Sequence, residues 1–150
     1  MTAMHRIAVT ASAIVLALAL CTGAKAAPAG HPAYLHALSD LRDARAHLER
    51  PDGGAVHQQE KDAVAEIDRA IGEIKAASID DGKNLNDHPP VDAHLAWVGR
   101  LNKAARLLDR ARDDVSHAED DPAAQGLQAR ALDHIAKARR RVEEAISLEQ

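Results

Sequence analysis

Residues 131–145 read ALDHIAKARRRVEEA. Ala131, Ala138 and Ala145 stand a heptad apart, with Ile135 and Val142 set between them. Spacing of three and four puts all five on one stripe of a helix, and the charged residues fall outside that stripe. A small side chain alternating with a branched one lets a neighbouring helix approach closely and interlock, so the stripe reads as a buried helix seam.

The same seam recurs three more times. Ala37 and Ala44 run with Tyr34, Leu41 and Leu48, and Ala63, Ala70 and Ala77 run with Ile67 and Ile74. Ala104, Ala111 and Ala118 run with Leu101, Leu108 and Val115. Breakers separate the four stretches. The first helix is expected from His31-Pro32 to the Arg50-Pro51-Asp52-Gly53-Gly54 break, and the second from Ala55 or Val56 to about Ile79, with Gly82 beyond it. Asp92 is placed to cap the third, which should run to about Asp120, and Asp121-Pro122 to open the fourth. The two short links make each successive pair an antiparallel hairpin, and the stretch Asp80 to Val91 joins the hairpins. The expected fold is all-α, an up-down-up-down four-helix bundle. Leu41, Ala44 and Leu48 match Leu108, Ala111 and Val115 at one fixed offset, and Ala63, Ile67, Ala70 and Ile74 match Ala131, Ile135, Ala138 and Val142 at an offset one greater. That agreement reads as a duplicated helical hairpin, with the extra residue absorbed in a turn.

Residues 1–26 stand apart from this pattern. Arg6 precedes the apolar run Ile7 to Leu20, and Ala24-Lys25-Ala26 presents small residues where a signal peptidase reads them. The run is shorter than the roughly 20 residues needed to cross a bilayer, so 1–26 is expected to be a cleaved signal peptide and 27–150 a single periplasmic domain. Lipidation at Cys21 is the weaker alternative, because Leu20 stands where a small residue is wanted. Cys21 is the one cysteine of the chain, so its loss with the leader removes disulfides, thiolate catalysis and cysteine-bound metals. The leader carries Arg6 and Lys25 and no acids, which takes the formal net charge from −4 to −6. That balance disfavours nucleic acid, and Arg139-Arg140-Arg141 followed by Glu143-Glu144 reads as a solvated helix face.

Chemistry is sparse. Tyr34 and Trp97 are the only aromatic residues. In an up-down-up-down bundle the first and third helices run parallel, which would bring both aromatics to one end. His31, His36, His88 and His94, with Asp80, Asp81, Asp87 and Asp92, would gather at that same end and could ligate a transition metal through imidazole and carboxylate. No tight metal-ligand spacing supports a metal, so none is assigned as a cofactor. His36, Asp40, Asp43 and His47 share a helix face that could act as a surface metal site or a pH-sensitive patch. The 80–91 connection lacks the order of a calcium loop. Without a nucleophile in a recognised setting or a phosphate-binding glycine loop, no enzymatic activity is expected.

The segment His31-Pro32-Ala33-Tyr34-Leu35-His36-Ala37-Leu38-Ser39-Asp40-Leu41-Arg42, with Asp80-Asp81-Gly82-Lys83-Asn84 and His88-Pro89-Pro90-Val91-Asp92, resembles small exported all-helical proteins of Gram-negative bacteria that have no assigned function. The resemblance implies a periplasmic helical bundle and carries no site residues. The expected function is therefore non-catalytic binding of a protein or small-molecule partner near the 80–91 connection, with Tyr34, Trp97, His88 and Asp87 as contacts. The alternatives are transition-metal binding through His31, His36, His88 and His94, and a structural or oligomeric role in the envelope.

Overall fold

The computed structural model describes residues 32–49, 56–78, 85, 96–117, 122 and 124–150. The signal segment, Cys21, His31, Asp87, His88 and His94 lie outside the described residues. Four helices follow in order: α1 (Pro32–Leu48), α2 (His57–Ala77), α3 (Trp97–Ser116) and α4 (Gln125–Ser147). No strand occurs among the described residues, and the all-helical four-helix architecture expected from the sequence is what the structure shows.

The alanine seams are the core. Ala37, Ala44, Ala63, Ala70, Ala104, Ala111, Ala131, Ala138 and Ala145 all have no exposed surface, and Leu41, Ile67, Leu108 and Ile135 are buried between them. Leu38, Ala105 and Leu107 widen the apolar faces of α1 and α3 beyond the seam itself. Two helix starts differ from expectation. α3 begins at Trp97, after Ala96, and α4 begins at Gln125, after Ala124, so neither Asp92 nor Asp121 is adjacent to the helix it was expected to cap. The preceding alanines accept the first helical bonds, from Arg100 N–H to the Ala96 carbonyl and from Gln128 N–H to the Ala124 carbonyl, each at 3.0 Å. Neither helix has a side-chain cap bond at its start.

Helix direction is the main correction to the expected fold. Across α2 and α4, Asp62 pairs with Arg141 at 3.9 Å, Glu66 with His134 at 2.7 Å and Glu73 with Arg130 at 2.9 Å. Numbers rise on one helix as they fall on the other, so α2 and α4 are antiparallel. Arg110 of α3 makes two bonds to Asp40 of α1, while Asp114, one turn further on, feels His36, one turn back. α1 and α3 are antiparallel as well. Between α3 and α4, Arg139 reaches Asp109 at 3.2 Å and Gln128 donates to the Val115 carbonyl at 2.7 Å, again in antiparallel order. The bundle is thus up-down-down-up, with α1 beside α3 and α2 beside α4.

α2 therefore ends and α3 begins at opposite ends of the bundle, about 30 Å apart for a helix the length of α3, a separation that the 19 residues between Ala77 and Trp97 are long enough to span. Arg42, midway along α1, donates to the Leu85 carbonyl of that connection. Burial holds the Arg42 guanidinium below its ordinary pKa.

Candidate functional site

The two ends of the bundle differ chemically. At one end lie the last turn of α1, the first turns of α2 and α3, and the last turns of α4. Three ionisable side chains are buried there: His47 at 1%, Glu60 at 4% and Arg100 at 2% exposure. Each has a partner, and the His47 Nε2 sits 3.4 Å from the Asp43 carboxylate. Burying such groups is costly unless they are paired, which makes this end the least generic part of the core. Glu60 continues the Ile67 and Ile74 register one heptad earlier, and Arg100 does the same for Leu107. Polar residues at apolar register positions are therefore the sequence signal of this end of the core, which histidine spacing does not show.

The outer face of α2 and α4 leads to this end. A cleft of about 440 Å³ is lined by Asp62, Ala65, Glu66 and Arg69 of α2 and by Lys137, Arg140, Arg141 and Glu144 of α4. Arg69 is bonded to Glu66, Lys137 to Asp133 at 2.6 Å, and Arg141 to Glu144 at 2.8 Å. An adjoining shallow groove of about 570 Å³ shares Arg140 and Glu144 and continues past Gln59, Glu143 and Ser147 to Leu148. Arg140 is exposed, borders both, and forms no ion pair among the described residues. Below the cleft the Arg130 bond holds the Glu73 carboxyl under its usual pKa.

The residues singled out from sequence do not assemble as expected. Tyr34 is fully buried in the core and offers no ring face to a ligand. It lies in the first turn of α1, whereas Trp97 opens α3; because α1 and α3 are antiparallel, these two helix starts are at opposite ends. The expected gathering of both aromatics with the histidines rested on a parallel pair and is corrected. Of the four candidate metal histidines, only His36 is among the described residues, and it is exposed. The His36, Asp40, Asp43, His47 stripe is also divided, since Asp40 is taken by Arg110 at 2.8 and 2.9 Å and His47 turns into the core. No group of three or more His, Asp or Glu side chains is placed to hold a metal among the described residues.

At the opposite end Asp114 supplies a pH test. Partial burial raises its carboxyl pKa, His36 opposes that rise, and Asp40 adds to it. A raised folded-state value favours the protonated form, so Asp114 stabilises the fold below its unfolded pKa and penalises it once ionised. Asp114→Asn is expected to raise the thermal midpoint at pH 7, with the gain shrinking as the pH falls through the carboxylate range. A gain of the same size at both ends of that range, read by circular dichroism, would contradict the assignment.

Comparison with protein-family models, with curated proteins and with solved structures finds no match to this chain. No described helix is long and apolar enough to cross a membrane.

Proposed function

We propose that this chain is an exported, non-catalytic binding protein of the periplasm that recognises its partner across the α2–α4 face. The observation that carries this reading is the pair of adjoining grooves sharing Arg140 and Glu144, which runs along that face to the end of the bundle. Leu148, at 56% exposure, is the one exposed large apolar residue among those whose side chains are described. Recognition on the described surface therefore depends on charge and hydrogen bonding, with little apolar area to contribute. The same scarcity disfavours pairing of two bundles through an apolar stripe. Leader-like residues 1–26 support export, and the absence of a nucleophile in a recognised setting supports a binding role.

The test is amide-shift mapping of the isotope-labelled chain against three probes: an oligoglutamate peptide, an oligolysine peptide, and vesicles containing phosphatidylglycerol. Shifts confined to residues 57–69 and 137–148 with any probe are the expected result. Shifts confined to α1 and α3, or none with all three, would remove the α2–α4 face as the recognition surface.

A further inference from the structure

We infer that the charges flanking the α2–α4 seam are a pairing code: they direct each hairpin to its complement, reject its own kind, and fit as intermolecular partner a second copy of this chain that exchanges hairpins. The inference is independent of the outer α2–α4 face as a recognition surface, because the partner enters through the buried seam.

α1 lies chiefly against α3 and α2 chiefly against α4, so each hairpin is held by the other more than its own two helices hold each other. The repeat that carries Ala63, Ile67, Ala70 and Ile74 onto Ala131, Ile135, Ala138 and Val142 also carries Asp62, Glu66 and Glu73 onto Arg130, His134 and Arg141. Each acid of α2 that pairs across the seam thus has an arginine or a histidine as its counterpart on α4. The contacts are reciprocal under the same repeat. Asp62–Arg141 is the counterpart of Arg130–Glu73, and Glu66 meets its own counterpart, His134. On the other helix pair the repeat carries Asp43 onto Arg110, and Arg110 binds Asp40.

This reciprocity fixes what a like pair would meet. Two α1–α2 hairpins packed in the same register set Asp62 against Glu73 twice, Glu66 against Glu66, and Asp40 against Asp43 twice. Two α3–α4 hairpins set Arg130 against Arg141 twice. The apolar seam is nearly the same in both repeats and would accept either arrangement, so the charges decide. Glu66 and His134 are only 16% and 18% exposed, where like charges are poorly screened. Repulsion between juxtaposed like charges suppresses wrong partners. A complementary hairpin from a second copy meets the same seam and the same charges as the chain's own. The 19 residues between Ala77 and Trp97 give each hairpin the reach to find it, and reciprocal exchange between two copies leaves no seam uncovered.

Two full-chain variants test the code. In the first, α2 takes the charges of α4 through Asp62→Arg, Glu66→His and Glu73→Arg. In the second, α4 takes those of α2 through Arg130→Asp, His134→Glu and Arg141→Glu. Each alone sets like charges across its seam and is expected to melt roughly 5–10 °C below the native chain in low salt. Unfolded together in urea and refolded at equal concentration, the two are expected to give a one-to-one heterodimer by native mass spectrometry, in a yield that falls as salt rises. A chain carrying all six substitutions restores the opposition with reversed sign and should melt near the native chain. Variants that melt as the native chain does, or a co-refolded mixture of monomers and like pairs alone, would overturn the inference. So would a six-substitution chain no more stable than the three-substitution ones, a comparison that holds even where a three-substitution chain does not fold.

Discussion

Ile67→Ala is expected to destabilise the fold by about 4 kcal/mol, near the top of the range for deleting a buried branched side chain. Ile67 has no exposed surface and lies in the seam between Ala63 and Ala70, at the level where α2 crosses α4. Alanines on both sides are too short to move into the vacated space, and backbones already packed through small residues have little room to approach further. The equivalent change in the other hairpin, Ile135→Ala, should cost less, about 3 kcal/mol. Ile135 is also buried, at 1%, but borders a groove of about 240 Å³ between α3 and α4, where Leu108 and Arg139 can readjust. Urea unfolding of the two variants measures the difference through their midpoints, provided the slopes agree. Equal costs, or a larger cost at Ile135, would show that the groove provides no relief. Either loss is a large share of the 5–15 kcal/mol typical of a domain.

The heptads that made the core legible could not reveal its direction. A seam of alanines and isoleucines spaced by sevens reads the same from either end, so α2 and α4 could be parallel or antiparallel with the same residues buried. The charges flanking the seam are equally ambiguous. Antiparallel packing sets Asp62, Glu66 and Glu73 against Arg141, His134 and Arg130. Parallel packing at the repeat offset would set the same three acids against Arg130, His134 and Arg141, an equally matched ladder. Arg110 likewise has Asp40 and Asp43 within one turn of each other on α1. The link between the hairpins does not decide it either. The expected connection of about 12 residues, Asp80 to Val91, is already long enough for either direction, since extended it spans roughly 40 Å against about 30 Å for a helix, so its length leaves the direction open.

The candidate site was less legible for a related reason. Tyr34, Trp97 and the histidines were grouped through an assumed direction, and the grouping dissolves once α1 and α3 oppose each other. Glu60 and Arg100 were readable as polar residues in apolar register, yet nothing in the sequence distinguishes a buried partnered charge from a helix end that frays. Arg140 was hidden more completely. Within Arg139-Arg140-Arg141 the three residues look interchangeable, but helical rotation sends Arg139 to Asp109 on α3 and Arg141 toward Asp62 on α2. Only the middle residue is left without an ion pair, a difference that arises from packing on both sides of α4.

Ala138→Leu is expected to cost about 3 kcal/mol, the upper end for overpacking a filled interior. Ala138 has no exposed surface, and Ala131 and Ala145, one heptad to either side, are equally buried. Leucine there must either push α4 away from its neighbours or adopt a strained rotamer. Separation would also lengthen the Glu66–His134 and Glu73–Arg130 pairs that flank the seam. Those pairs are worth little individually, so most of the cost should come from lost packing along Ala70, Ile74 and Ala131. Ala129→Leu provides the control: the residue is on the same helix, is exposed, and changes in the same way without entering the seam. It should shift stability by no more than about 0.5 kcal/mol. If Ala138→Leu proved as neutral as Ala129→Leu, the helices would not be in close approach at the seam, and the alanine pattern would need another cause. If instead both helicity and cooperativity survived with a lowered midpoint, the ladder's role would be the one its spacing implies, setting how near α4 can come.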